Sequence, residues 1–147
     1  MPTRNARTAW NGDLQTGSGQ VELSSSKVGT YDVSFPKRAA EDAGGTTSPE
    51  ELIAAAHSAC YAMQFSAVLA EAGGTPQSLD VRAAVSLGPD KESGGFKLTG
   101  IALTVRGEVD GLDEAAFIEA ANIAKQSCPV SKALTGVEIT LDAALES

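Results

Sequence analysis

The segment from Ser48 to Gly74 constrains this chain more than any other. It reads as one long helix with both ends marked. Ser48 can cap it, Pro49 suits the first helical position, and Glu50 and Glu51 suit the positive end of its dipole. Glu51, three residues after Ser48, completes a capping-box pattern. The helix is expected to reach about Ala72, where Gly73-Gly74 stops it. Its interior is apolar and rich in alanine. Leu52, Ala56, Cys60, Met63 and Ala67 recur at steps of three or four and mark an apolar stripe that includes a cysteine. A rod of this length must be covered by other elements, and the sequence offers mainly strands for that purpose.

Short strands are expected at residues 7–10 and 19–24, separated by turn signals at Gly12-Asp13 and Gly17. Tyr31 to Phe35 alternates polar and apolar and ends at Pro36; residues 37–47 then read as a loop. After the long helix, residues 79–87 and 97–108 read as two long strands joined through Gly88-Pro89-Asp90 and Gly94-Gly95. Asp113 caps a second helix that places Phe117, Ala121 and Ala124 on one face and ends near Ser127. A short turn follows Pro129, and residues 137–141 form a last strand. The order β-β-β-α-β-β-α-β, with its hairpins, indicates an α+β fold with antiparallel pairing. No linker or repeat interrupts residues 1–147, so one domain is expected.

Charge narrows the partners. The formal net charge is −8, which argues against nucleic acid and anionic membrane as main partners, since phosphate binding needs clustered Lys and Arg. No apolar run is expected to approach the roughly 20 residues of a membrane span. Residues 1–7 carry charge with no apolar segment behind them, so no signal peptide and a cytoplasmic location are expected. In the cytosol a structural disulfide is disfavoured, and a catalytic or sensing one is more natural.

The chain has two cysteines, Cys60 and Cys128, and one histidine, His57. Read alone, Cys60 is either a small core hydrophobe or a nucleophile. His57 lies three residues before it on the same helix face, so a Cys–His nucleophile–base pair is open, as is a packed imidazole. Cys128 precedes a proline and can sit at the N-cap of the next helix, where backbone N–H groups stabilise a thiolate. Two Cys and one His fall short of a closed zinc site. Together the two thiols suggest a dithiol/disulfide couple.

Three segments carry a resemblance. They are Ala9-Trp10-Asn11-Gly12-Asp13, then Thr47-Ser48-Pro49-Glu50-Glu51-Leu52-Ile53-Ala54-Ala55-Ala56-His57-Ser58-Ala59-Cys60, and Ser127-Cys128-Pro129-Val130-Ser131. In these the chain resembles the osmotically inducible protein C and organic hydroperoxide resistance family, and its wording is closer to the OsmC branch. It departs at Ser48, where Asn is commoner, and in a slightly long loop between Arg38 and Pro49. The resemblance implies antiparallel sheets packed on a central cysteine-bearing helix and a second helix, in an intertwined homodimer with active sites at the subunit interface.

The resemblance also implies a thiol peroxidase acting on organic hydroperoxides and less efficiently on hydrogen peroxide. Cys60 would be the peroxidatic residue and Cys128 the resolving one. Arg38 and Glu50 would activate the thiol, with Lys37 the neighbouring basic candidate. It implies no bound cofactor or metal, and an external dithiol of the lipoyl kind as reductant. Glu50 and Cys60 lie ten residues apart on one helix, about 15 Å along its axis. Glu50 is therefore expected to serve the Cys60 of a second copy. Met63, Phe65 and Phe117 are candidate walls for an organic peroxide. The competing readings are a cysteine hydrolase or acyltransferase using Cys60 with His57, and a non-enzymatic thiol redox sensor.

Overall fold

The turn signals near the N-terminus fold as a three-stranded antiparallel meander of β1 (Arg7–Asn11), β2 (Ser18–Glu22) and β3 (Thr30–Val33). Gly12 turns the chain out of β1 with φ of +94°, a backbone state that L side chains rarely adopt. The computed structural model describes residues Met1–Ser147, which form two compact units, Met1–Leu52 and Ile53–Ser147. Within the first unit Val21 of β2 is buried, paired with Thr8 on one side and Tyr31 on the other.

The third strand ends earlier than its alternation suggested. Ser34 has extended backbone, and its hydroxyl accepts from the Lys37 N–H at the start of α1 (Phe35–Arg38). Pro36 fits that first turn. Phe35-Pro36-Lys37-Arg38, expected as strand end and loop, is therefore a one-turn helix with Arg38 as its last residue. The following loop returns to β3 through the Thr47 N–H, which donates to the Asp32 carbonyl at 3.0 Å.

The long helix, α2 (Pro49–Glu71), starts and stops as expected. The Glu51 N–H donates to the Ser48 hydroxyl at 3.1 Å, while the Glu51 carboxylate accepts from the Thr47 hydroxyl at 2.6 Å. Half of the capping box is thus formed. At the other end Gly73 takes φ of +91°, and the Gly74 N–H donates to the Leu69 carbonyl at 2.9 Å, a Schellman closure.

The buried stripe of α2 differs from the expected one. His57, Tyr61, Phe65, Val68 and Leu69 are buried, whereas Ala56, Met63 and Ala67 are exposed and Leu52 and Cys60 are half-buried. Alanines on both sides of the helix blurred its periodicity, and the large side chains decide which face goes in. One expectation on length is also corrected. By length and composition alone α2 reaches what a membrane span needs, with a mean hydropathy of 1.4 over its best window. Alanine raises the average, but the largest side chains of this helix are core residues.

The second unit is built on a sheet ordered β4 (Thr75–Pro89), β5 (Phe96–Asp110), β6 (Ile139–Leu145). The β4–β5 hairpin is longer at both ends than expected. Along β5, Ile101, Leu103, Val105, Gly107 and Val109 are buried in strict alternation, the mark of one face on a core. β6 pairs with β5 in parallel, from Ile101↔Ile139 to Gly107↔Leu145, where antiparallel pairing was expected. The reason is connectivity: α3 (Glu114–Ser127) lies between them and returns the chain in the same direction. Phe117, Ala120, Ala121 and Ala124 of α3 are buried.

Phe65 and Phe117 meet at a 58° tilt with 5.1 Å between ring centroids, and Tyr61 lies 5.5 Å from Phe65. Gly107 makes room for this cluster, since a Cβ there would meet a Phe117 ring carbon at 2.9 Å. Phe65 and Phe117 are wholly buried and Met63 is 74 % exposed. Within one chain two of these three are core and one faces outward.

Candidate thiol site

Residues 68 apart in sequence meet at the junction of α2, α3 and α4 (Pro129–Ala133). The Cys60 and Cys128 sulfurs lie 3.2 Å apart, joined by a thiol hydrogen bond, and both are free cysteines. Cys60 comes from the middle of α2. Cys128 ends α3, with its N–H donating to the Ala124 carbonyl at 2.9 Å, and it is also the N-cap of α4. Pro129 cannot continue α3 but suits the first position of α4. The α2–α3 contact is tied by two polar links. The Tyr61 hydroxyl donates to the Ala121 carbonyl at 2.7 Å, and the Gln64 amide donates to the Ser127 hydroxyl at 3.0 Å.

The sulfurs differ in access and in electrostatics. Cys60 is half-buried and Cys128 is wholly buried. Burial opposes the Cys128 anion, but it is outweighed by the Ser131 N–H, the Cys60 thiol, the Ser131 hydroxyl and the Val130 N–H, so this thiol lies below its ordinary value. Burial pushes Cys60 up, and its contact with Cys128 adds to that, against one N–H from Val130. These groups thus favour the anion at Cys128 and oppose it at Cys60. Burial, then the charge of Cys128, also pushes the Tyr61 phenol up.

His57 does not pair with Cys60. Its Nε2 lies 2.7 Å from the Ser131 hydroxyl oxygen, and its buried Nδ1 has no partner. Sequence reasoning missed Ser131, although its place three residues after a helix N-cap was a signal. Burial lowers the His57 pKa from 6.5. The folded chain then binds fewer protons than the unfolded chain below about pH 6.5. The neutral imidazole's contribution is complete above that pH and is lost as pH falls towards the lowered value. Urea unfolding at pH 7 and pH 5 is expected to show a larger stability loss for the wild type than for His57→Gln. The difference is expected to widen as pH falls below about 6.5; equal losses would refute it.

Arg38 and Glu50 form a second pair, within the first unit. The Arg38 Nε donates to both Glu50 oxygens, at 2.8 and 3.1 Å. The Glu50 side chain is 10 % exposed and that of Arg38 is 33 % exposed. Arg38 is placed by the α1 turn and Glu50 by the first turn of α2. Because Nε takes the carboxylate, the terminal guanidinium nitrogens remain available. Neighbouring Lys37 is exposed and makes no such pair. A cavity of about 370 Å³ adjoins Arg38, lined by Trp10, Leu14, Val21, Phe35 and Leu52 among others. No cluster of three or more His, Cys, Asp or Glu side chains is placed to hold a metal ion.

Known proteins share this sequence and fold. Residues 42–142 match the family model described as OsmC-like protein. The chain is 42% identical over 144 residues to the peroxiredoxin OsmC of Escherichia coli K12, covering 98% of this chain and 97% of that one. It is 32% identical over 121 residues to an organic hydroperoxide resistance protein of Xanthomonas axonopodis pv. citri, covering 81% and 82%. Among solved structures, the organic hydroperoxide resistance protein OhrB of Bacillus subtilis superposes with a TM-score of 0.75 at 30% identity, covering 95% of this chain and 97% of that one. The α+β fold is shared with that solved structure, and the chain belongs to the OsmC-like protein family.

Proposed function

We propose that this chain is a thiol peroxidase that reduces organic hydroperoxides to alcohols, and hydrogen peroxide less efficiently. The observation that carries the reading is the meeting of Cys60 and Cys128 at 3.2 Å from positions 68 residues apart. The names of the relatives support it: peroxiredoxin OsmC and organic hydroperoxide resistance protein. Cys60, the more accessible sulfur, attacks the distal peroxide oxygen; the O–O bond breaks, alcohol leaves, and Cys60 becomes a sulfenic acid. Cys128 condenses with it, releasing water and forming a disulfide. An external dithiol of the lipoyl kind restores both thiols. The cycle needs no bound cofactor or metal.

Arg38 and Glu50 act in this reading as the guanidinium and carboxylate that draw charge onto Cys60 during attack. Glu50 fixes Nε of Arg38, leaving the fork free for sulfur or peroxide oxygen. The site is completed in a homodimer, where α2 supplies the contact. Ala55, Ala56, Ala59, Met63, Ala67 and Ala70 form an exposed apolar stripe along it, and small residues let helices approach closely. The hydrolase reading loses its support, because His57 is committed to Ser131 rather than to Cys60.

The test is steady-state consumption of cumene hydroperoxide with dihydrolipoamide supplied. Wild type is expected to turn over. Arg38→Ala and Glu50→Gln are expected to slow the first oxidation by about a hundredfold, the usual effect of removing one preorganised charge partner. A wild type without turnover would refute the function, and variants at wild-type rate would refute the roles of Arg38 and Glu50.

A further inference from the structure

His57 and Ser131 are buried polar groups that the cycle above does not use, and they lead to the resolving sulfur. Both are nearly inaccessible, with His57 at 0 % and Ser131 at 4 % exposure. Ser131 is the third residue of α4, the helix that Cys128 caps; the Cys128 side chain makes no cap hydrogen bond, and the Ser131 hydroxyl is among the groups that favour the Cys128 thiolate. One orphan atom fixes the direction of the hydrogen bonds. His57 Nδ1 is buried without a partner. An unpaired N–H there would be costlier than an unpaired lone pair, because buried donors are almost always satisfied. The imidazole proton therefore sits on Nε2 and donates to the Ser131 oxygen across 2.7 Å. The hydroxyl proton of Ser131 is then free to donate to the Cys128 sulfur.

We propose that His57 and Ser131 are positioning residues, a hydrogen-bond relay from α2 through α4 that presents Cys128 as the thiolate for the resolving step. The inference rests on the peroxidase reading. In that step the Cys128 thiolate attacks the sulfur of the Cys60 sulfenic acid. The S–S bond forms, the S–O bond breaks, and hydroxide leaves as water with one proton from solvent. Cys128 sulfur is oxidised and Cys60 sulfur is reduced. In the reverse half of the cycle, the same relay makes Cys128 the better leaving group when an external thiol attacks Cys60.

The groups that face Cys128 are few. α2 contributes Cys60 and Tyr61, with His57 one hydrogen bond further away. The core face of β5 is apolar, at Ile101, Leu103 and Val105. The nearest lysines in sequence are Lys125, half-buried in the last turn of α3, and Lys132, exposed on α4. Neither acts on this sulfur as an ion-pair partner.

The test uses the full chain and two readouts. In a Cys60→Ser background the Cys128 thiolate is titrated by its ultraviolet absorbance, which requires no peroxidase activity. Ser131→Ala is expected to raise the midpoint by about one pH unit, the effect of removing a hydrogen bond to the charged form. Ser131→Thr, which keeps the hydroxyl, is expected to match the parent. His57→Gln keeps a donor amide and is expected to shift the midpoint less than His57→Leu. With Cys60 intact and one equivalent of hydroperoxide, disulfide closure at pH 6.5 is expected to slow about five- to tenfold in Ser131→Ala. Sulfenate formation is expected to keep its rate. Unchanged Cys128 titration and closure in Ser131→Ala would overturn the relay and leave the peroxidase standing. A wild type inert to hydroperoxide would overturn the peroxidase, while the titration still reports on the relay.

Discussion

Cys60→Ser is expected to lose turnover of organic hydroperoxide altogether, a fall of at least about a thousandfold to the uncatalysed background. A hydroxyl at this position keeps the helix and nearly the same volume, so the loss is chemical rather than structural. Serine oxygen is not oxidised by peroxide and forms no sulfenic acid. Cys128→Ser is expected to behave differently. It consumes one equivalent of hydroperoxide per chain and then stops, because the Cys60 sulfenic acid has no second thiol to close upon. Stopped-flow peroxide consumption followed by mass spectrometry separates the two variants. Repeated turnover by Cys60→Ser would remove the sulfur mechanism entirely.

The largest expected effect on stability lies at Phe117. Its side chain is wholly buried, its ring packs tilted against Phe65 at 5.1 Å, and the backbone of Gly107 is bare so that the ring fits. Phe117→Ala is expected to cost about 3–5 kcal/mol, at the upper end for a cavity that cannot collapse. Two elements hold the cavity open. The hairpin of two fifteen-residue strands cannot shift inward without breaking register, and α2 is pinned to α3 by the Tyr61 and Gln64 links. Urea denaturation at fixed protein concentration measures the change. A loss below about 1 kcal/mol would mean that the aromatic cluster is not the centre of this core.

Much of this was legible in the chain itself. The ends of α2 were marked by residues whose preferences are local: Ser48 and Pro49 at one end, Gly73 and Gly74 at the other. The alternation of β5 showed one buried face. The two cysteines stood at punctuated places, and the motifs around them carried the family. Other features depended on partners distant in sequence. The periodicity of α2 is ambiguous because alanine fits either face, so Met63 reads as inward although it faces out. The parallel β5–β6 pair followed from the return path of α3, which no strand pattern encodes. The short helix Phe35–Arg38 was hidden because Tyr31 to Phe35 alternates like a strand, while Ser34 gives its oxygen to the Lys37 N–H. Ser131 looked like an ordinary helix residue until its hydroxyl met His57.

The 68-residue interval between the two sulfurs also has a consequence for biosynthesis. Translation at about 5–20 residues per second adds Cys60 to the nascent polypeptide roughly 3–14 s before Cys128, and Cys60 leaves the ribosome before its partner does. During that interval any sulfenic acid formed on Cys60 has no intramolecular rescuer. A further encounter with oxidant carries it to sulfinic and sulfonic acid, from which dithiols do not bring it back. A protein suited to destroying peroxides would thus be most vulnerable to them while it is being made.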